Sequence, residues 1–206
     1  KLVKFPGIGQ AAAGEVAVGA PYCTMTVDGS GKAPTIWLAR IFGESAPAKR
    51  GVEKVVDEGE KLAGPVEVIK HRALTDPYQV AASMVNDDVY VHGYSDYAFV
   101  RVDGRTGEVK VFPKLQGHDV GVGPQGQLET LVLSSYQPSL VDITQYDRDG
   151  NPLVFAGGPT NFVKKLPGNK HGHGGTGSKG FSVSPRGEVL VLGSTNNVAG
   201  APNSMY

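Results

Sequence analysis

The stretch GFSVSPRGEVLVLGSTN, residues 180–196, decides the fold because two short strand-like runs flank a tight turn. The run after the turn, EVLVLG, alternates and is rich in β-branched residues, which favour strands. The turn SPRGE contains a glycine, which tolerates the positive φ that tight turns demand. The stretch therefore predicts a β-hairpin with a strong second strand.

Three other segments repeat this pattern of a short apolar strand, a polar turn and a stronger apolar strand. They are CTMTVDGSGKAPTIWLAR from Cys23, VAASMVNDDVYVHGYSD from Val80 and HDVGVGPQGQLETLVLSS from His118. After each of these three comes a strand, an Asp/Gly turn and an outer strand: RGVEKVVDEGEKL, AFVRVDGRTGEVKVF and LVDITQYDRDGNPLVF. Helical periodicity is almost absent. A repeat of four strands predicts an all-β fold built from propeller blades.

The composition narrows the classes of function. The 206 residues include 20 Lys and Arg and 20 Asp and Glu, so the net charge is near zero and no basic patch is expected. Nucleic acids and anionic membranes require such a patch, and neither is an expected partner. No apolar run approaches the roughly 18 residues of a membrane span. The single Cys23 excludes an internal disulfide and any site built on paired cysteines.

The repeat consists of an apolar strand, a turn such as SPRGE, a VLVLG strand and then a segment such as YDRDGNPLVFAG. This order resembles the NHL-type and gluconolactonase-like β-propeller repeats of bacterial exported proteins. The resemblance covers nearly the whole chain. It implies four-stranded antiparallel blades and a periplasmic or extracellular location. It implies little about activity, because propellers host many unrelated functions. Some NHL-like propellers are lyases or lactonases with a central metal, but this chain does not clearly show the Glu, Asp and Asn ligands of gluconolactonase-like proteins.

The repeat divides one expected domain, a β-propeller segment of residues 1–206, into blades. A blade end at residues 1–20 is followed by blades at residues 21–72, 73–114 and 115–166, and by a partial blade at residues 167–206. The sequence opens late in one blade and stops where a third strand should begin. We therefore expect an incomplete ring, completed by other domains or chains. The alternative is a compact four-bladed ring in which residues 1–7 supply the missing outer strand.

All five histidines map to one face of the expected disc. In a propeller, the connections between blades and the loops between the second and third strands of each blade lie on the same face. His71, His171 and His173 fall in connections between blades, His92 ends a second strand, and His118 opens a first strand. This face is therefore the expected place for a ligand.

Two sets of candidate site residues follow from this placement. Those expected to contact a ligand are His92, Tyr94, Asp96, Asn196 and Asn197. Those expected to hold a metal at the mouth of the channel are His118, Asp119, His171 and His173. Neutral imidazole and carboxylate are common ligands of divalent metals. The alternatives are structural: HGHGG at residues 171–175 as a flexible surface turn, and His118 bonded to backbone.

Two functions are compatible with these residues. The first is a binding or scaffold module that recruits a protein or carbohydrate on the histidine-bearing face, and the absence of a complete catalytic constellation in the sequence supports it. The second is a metal-dependent lyase or lactonase-type hydrolase. Its cofactor would be a divalent metal such as zinc or calcium, held by His118 and His173, with Asp119 as ligand or general base. We favour the binding module, because an incomplete ring rarely presents a whole active site.

Overall fold

Strands dominate both units of the chain, Lys1–Pro113 and Lys114–Tyr206, in a computed structural model of the protein. The structure describes residues 22–28, 33–40, 51–59, 62–69, 71–74, 77–93, 98–115, 117, 119–133, 140–155, 158, 161–165, 180–193 and 204–205. Within these ranges there is no α-helix, and every strand pairing is antiparallel. The prediction of an all-β fold with four-stranded antiparallel sheets is confirmed. The proposed outer strand at residues 1–7 lies outside the described residues.

The first unit begins with a four-stranded meander, in which neighbours in the chain are also neighbours in the sheet. Its strands are β1 (Tyr22–Asp28), β2 (Thr35–Arg40), β3 (Gly51–Asp57) and β4 (Leu62–Ile69). Successive residues of a strand point to opposite faces of the sheet. Trp37 and Ala39 therefore share one face, while Leu38 belongs to the other face and packs with Val55.

A second meander of four strands completes the first unit. Its strands are β5 (Pro77–Ala82), β6 (Asp88–Gly93), β7 (Phe99–Asp103) and β8 (Val109–Phe112). A short 3₁₀ helix, Arg72–Leu74, precedes β5 and packs against β6. The predicted order of two inner strands followed by a hairpin is therefore present in both sheets.

The core of the first unit lies between its two meanders. Trp37, Ala39 and Val52 of the first sheet share one buried apolar cluster with the facing residues of the second sheet. Those residues are Val80, Ala82, Val89, Val91, Val100 and Val102. Strand β5 lies against β1 and β2. The second sheet therefore stacks face to face on the first, with its first strand nearest.

The second unit contains a five-stranded sheet. Its strands are β9 (Asp119–Val122), β10 (Leu128–Leu133), β11 (Leu140–Tyr146), β12 (Pro152–Leu153) and β13 (Asn161–Lys165). Both β12 and β13 pair with the outer edge of β11, at different points along it. The sequence predicted one outer strand in this segment. The structure instead places two short strands in that position.

A three-stranded sheet follows in the same unit, and β9 lies against its first strand. Its strands are β14 (Gly180–Val183), β15 (Val189–Gly193) and β16 (Ser204–Met205). The hairpin predicted from GFSVSPRGEVLVLGSTN is formed by β14 and β15.

Three hairpins of the second unit close with the same turn. In each, a glycine with positive φ donates its backbone N–H to the carbonyl three residues earlier. These glycines are Gly126 (φ 80°), Gly150 (φ 87°) and Gly187 (φ 82°). Glycine reaches this region at little steric cost, which explains why GPQGQ, DRDGN and SPRGE all carry it at the fourth position.

Candidate functional site

Most of the predicted site residues lie outside the described residues, so their roles stay predictions. They are Tyr94, Asp96, His118, His171, His173, Asn196 and Asn197. Two predicted site residues are described, His92 in the first unit and Asp119 in the second.

Asp119 is a buried acid at the start of β9. Its side chain is 1% exposed, and neither carboxylate oxygen has a hydrogen-bond partner among the residues that the structure describes. Burial raises the pKa of Asp119 to about 7, because a low-dielectric surrounding disfavours the charged form. Asp119 therefore titrates close to neutral pH.

Glu129, on β10, is a second buried acid that the sequence motifs did not indicate. It is also 1% exposed. Gln145 donates from Nε2 to Oε1 of Glu129 at 2.8 Å, whereas Oε2 has no hydrogen-bond partner within the described part of the chain. Burial raises the pKa of Glu129, and the hydrogen bond from Gln145 partly opposes that rise. The sequence shows only a single glutamate in the otherwise mainly apolar strand LETLVL, which does not distinguish a buried position from an exposed one.

Asp119 and Glu129 lie on the same face of their sheet. Asp119 pairs with Leu131, and Glu129 pairs with Gly121. Residues directly opposite each other share a face, so the two acids lie on one face at successive positions. The Glu129 carboxyl lies beside Gly123, which is on the far side of Gly121 from Asp119. Gly121 contributes no side chain to this face.

Gly123 leaves room for the Glu129 carboxyl group. A β-carbon at Gly123 would lie 2.6 Å from Oε1 of Glu129 and would overlap the side-chain amide of Gln127. Any larger residue would displace one of these side chains. The turn glycine therefore helps to fix the position of the buried acid.

On the corresponding face of the second sheet of the first unit, a buried acid lies beside a buried arginine. In this sheet Tyr90 pairs with Arg101, and in the second unit Glu129 pairs with Gln145. Each pair is the same number of residues from the first hairpin turn of its sheet, so the two pairs occupy corresponding positions. Nε of Arg101 lies 3.7 Å from Oδ1 of Asp88, and both side chains are buried. The second unit thus carries Glu129 where the first has a tyrosine, and Gln145 where the first has an arginine.

His92 occupies this same face of β6, where it is 2% exposed. Its ring stacks on Phe99, with the ring centroids 4.7 Å apart and an interplanar angle of 25°. The sequence predicted His92 as the last residue of this strand, whereas β6 continues one residue further, to Gly93. Its described role is therefore packing in the interior, and contact with a ligand stays a prediction.

His71 has a local structural role. Its Nδ1 accepts a 3.2 Å hydrogen bond from the backbone N–H of Ala73, and its carbonyl accepts one from Leu74 at 2.8 Å. These bonds hold the 3₁₀ helix, whose Leu74 is part of the buried cluster. The connection between β4 and β5 is anchored in this way.

The described part of the chain contains no group of three or more His, Cys, Asp or Glu side chains placed to hold a metal ion. Among these same residues, no helix is long and apolar enough to cross a membrane. No protein-family model matches the chain, and no curated protein matches it.

Proposed function

We propose that the chain is a segment of a β-propeller that serves as a binding or scaffold module of an exported bacterial protein. The observation that supports this most is the stacking of two four-stranded meanders in Lys1–Pro113, with β5 against β1 and β2. A propeller blade is a meander of this kind, and blades pack side by side around a central channel. Strand β9 lies against β14 in the second unit in the same way.

A protein or carbohydrate partner would bind the face formed by the connections between blades and the loops between second and third strands. In the first unit, the 3₁₀ helix of the β4–β5 connection packs on β6, which leads into the β6–β7 loop. The other end of this sheet is closed by a tight turn, where Oδ1 of Asp103 accepts the N–H groups of Arg105 and Thr106. Binding residues are concentrated on loops held by a rigid scaffold. The seven-residue β4–β5 connection is longer than the five-residue turns at the other end of the sheet, which favours the end that carries this connection.

Binding of the 206-residue chain to an array of polysaccharide fragments tests this proposal. We expect the Asp96→Ala and Asn196→Ala/Asn197→Ala variants to lose at least about tenfold in affinity, which corresponds to about 1.4 kcal/mol. The matched control is Arg105→Ala, an exposed residue of the β7–β8 turn, which should bind like the wild type. Loss of binding in the control alone would place the ligand on the opposite face.

A metal-dependent lyase or lactonase-type hydrolase is the second candidate, and the buried carboxyl of Asp119 favours it. An unpartnered carboxylate adjacent in sequence to His118 suits a metal ligand. A pKa near neutrality suits a general base. Metal content of the wild type, of His118→Ala and of His171→Ala/His173→Ala tests this candidate. It requires about one metal ion per chain that is lost in the variants.

A further inference from the structure

We propose that Glu129 is a proton-dependent switch in the second unit, which is stable while the Glu129 carboxyl is protonated and loses stability when the proton leaves for solvent. The side chain is 1% exposed. Its Oε1 accepts a 2.8 Å bond from the neutral amide of Gln145, and its Oε2 has no hydrogen-bond partner among the described residues. This switch goes beyond the proposed function and requires neither a ligand nor a closed ring.

The charged groups nearest to Glu129 in its own sheet do not offset a negative charge there. Asp119 of β9 shares the same face and is itself an acid. On β11, the residue opposite Glu129 is the neutral Gln145. Asp147, two residues further along the chain, is also an acid, and its carboxylate accepts N–H groups of its own turn. Ionised Glu129 would therefore add negative charge to a face that already carries acids.

The other elements packed against this sheet bring no positive charge to Glu129 within the described part of the chain. Strand β14, which lies against β9, contains no titratable residue, and neither do β12 and β15. On β13, Lys164 pairs with Val141, which lies four residues, or about 13 Å, along β11 from Gln145. Arg148 lies in the exposed turn after β11. The described group that stabilises the Glu129 carboxyl is therefore the Gln145 amide.

The first unit carries a positive charge at the position that Gln145 occupies in the second. Arg101 stands there, with its Nε 3.7 Å from Oδ1 of Asp88. A buried carboxylate is costly unless it is paired or neutralised by a proton. The second unit has a buried acid without the arginine, so a proton is what makes the burial of Glu129 tolerable. Burial accordingly raises the pKa of Glu129, and the bond from Gln145 opposes that rise only in part.

The β9–β10 hairpin is where the loss of the proton should act. Its turn closes beside the Glu129 carboxyl, with the N–H of Gly123 donating to the carbonyl of Gln127 at 2.9 Å. Once ionised, the carboxylate needs water, and opening of this hairpin admits it. The stabilisation from the bound proton is fully present below the unfolded pKa of about 4.5 and is lost as the pH rises through the raised value.

Thermal unfolding between pH 4.5 and pH 8.5 tests the switch in an Asp119→Asn background, which removes the other buried acid. The Tm of Asp119→Asn should fall by several degrees over this range. Adding Glu129→Gln keeps the shape of the protonated carboxyl but cannot ionise, so the fall should largely disappear. The matched control adds Glu108→Gln, an exposed residue, and should keep the fall.

Two further measurements locate the effect at Glu129. At pH 6, the infrared band of a protonated carboxyl should be present in Asp119→Asn and lost when Glu129→Gln is added. At pH 8, hydrogen exchange in the β9–β10 hairpin should be at least about tenfold faster in Asp119→Asn than in the double variant, a factor that corresponds to one pKa unit. Gln145→Arg in the same background supplies the charge of Arg101, and it should remove both the band and the fall in Tm.

Two results would overturn the proposal. One is a Tm difference between Asp119→Asn and the double variant that does not change with pH, together with no carboxyl band that depends on Glu129. This pair of results would mean that Glu129 is ionised in the folded chain. The other is an exchange rate that rises equally in the β5–β6 hairpin of the first unit, which would place the response to pH elsewhere.

Discussion

The hydroxyl of Thr26 accepts a hydrogen bond from the backbone N–H of Ala82, 3.2 Å away, and this bond joins the first strands of two successive sheets. The two residues are 56 positions apart in the chain. The bond lies beside the apolar cluster that Trp37 and Val80 share. It is a directional contact beside that cluster, as is the 3.1 Å bond from Nζ of Lys54 to the carbonyl of Gly104, so it helps to fix how the two sheets stack.

Thr26→Val should destabilise the first unit by about 1–3 kcal/mol, because the N–H of Ala82 is left partly buried without its acceptor. Chemical denaturation measures the change. Thr106→Val is the matched control, because the Thr106 hydroxyl also accepts a backbone N–H, that of Glu108 at 3.3 Å, but in an exposed turn. Water can replace that acceptor, so stability should change by less than about 0.5 kcal/mol. Equal effects of the two substitutions would contradict a role for Thr26 in joining the sheets.

Gly104→Ala should destabilise the first unit by about 1–3 kcal/mol through overpacking. The added carbon would lie 2.7 Å from the carbonyl oxygen of Asp87 and 2.9 Å from Cζ2 of Trp37. The N–H of Gly104 donates to that same carbonyl at 2.6 Å, so the backbone cannot retreat without losing this bond. Fluorescence reports the change directly, because Trp37 is the single tryptophan. Its emission should shift in Gly104→Ala and stay unchanged in Arg105→Ala, and an unshifted spectrum in both would refute the close approach.

Asp119→Asn should flatten the dependence of stability on pH. The pKa of Asp119 rises from 3.8 to about 7 on folding, so the folded state keeps a proton that the unfolded chain releases between these values. The contribution of this proton to the stability of the wild type is therefore fully present below about pH 4 and is lost as the pH rises to about 7. One pKa unit is worth about 1.4 kcal/mol, so the loss amounts to a few kcal/mol.

Denaturation in EDTA between pH 4 and pH 8 measures this effect without a contribution from bound cations. Asp119→Asn should be more stable than the wild type at pH 8. The exposed Asp149→Asn should follow the wild-type profile. Parallel profiles for wild type and Asp119→Asn would show that Asp119 does not lose its charge on folding.

Asp147→Ala should destabilise the second unit by about 1 kcal/mol at neutral pH. The Asp147 carboxylate accepts bonds from the N–H of Asp149 at 2.8 Å, and from the N–H and Nδ2 of Asn151 at 2.9 Å each. These bonds, chiefly that from the Asn151 side chain, lower the pKa of Asp147. Their stabilisation is present above the usual pKa of 3.8 and is lost as the pH falls through the lowered value.

Denaturation at pH 7 and at pH 2 checks the Asp147 prediction, with Asp149→Ala as the control in the same turn. The difference between Asp147→Ala and the wild type should be clear at pH 7 and much smaller at pH 2. A difference that is independent of pH would mean that the charge of Asp147 plays no part in holding the turn.

The strands and tight turns could be predicted from the sequence because their signals are local. SPRGE places a glycine at the position that needs positive φ, and alternation marks the strand that follows. Strand β13 was missed because its place is set by pairing with β11 across an intervening loop. A segment such as NFVKK carries no local sign of which strand it will pair with.

Of the two buried acids, only Asp119 was indicated by the sequence. Asp119 was indicated by its position at the start of a first strand. Glu129 was not, because one glutamate in an apolar strand looks the same whether it faces solvent or the interior. Its burial depends on the register with Gly121 and on the space beside Gly123, and both are properties of the folded sheet.

The metal content of the freshly isolated, untagged chain and of His118→Ala tests most directly whether the protein is a binding module rather than a metal enzyme. The binding module predicts no zinc, iron or copper that depends on His118. About one transition-metal ion per chain that disappears in His118→Ala would contradict the binding module and establish a metal centre at the histidines.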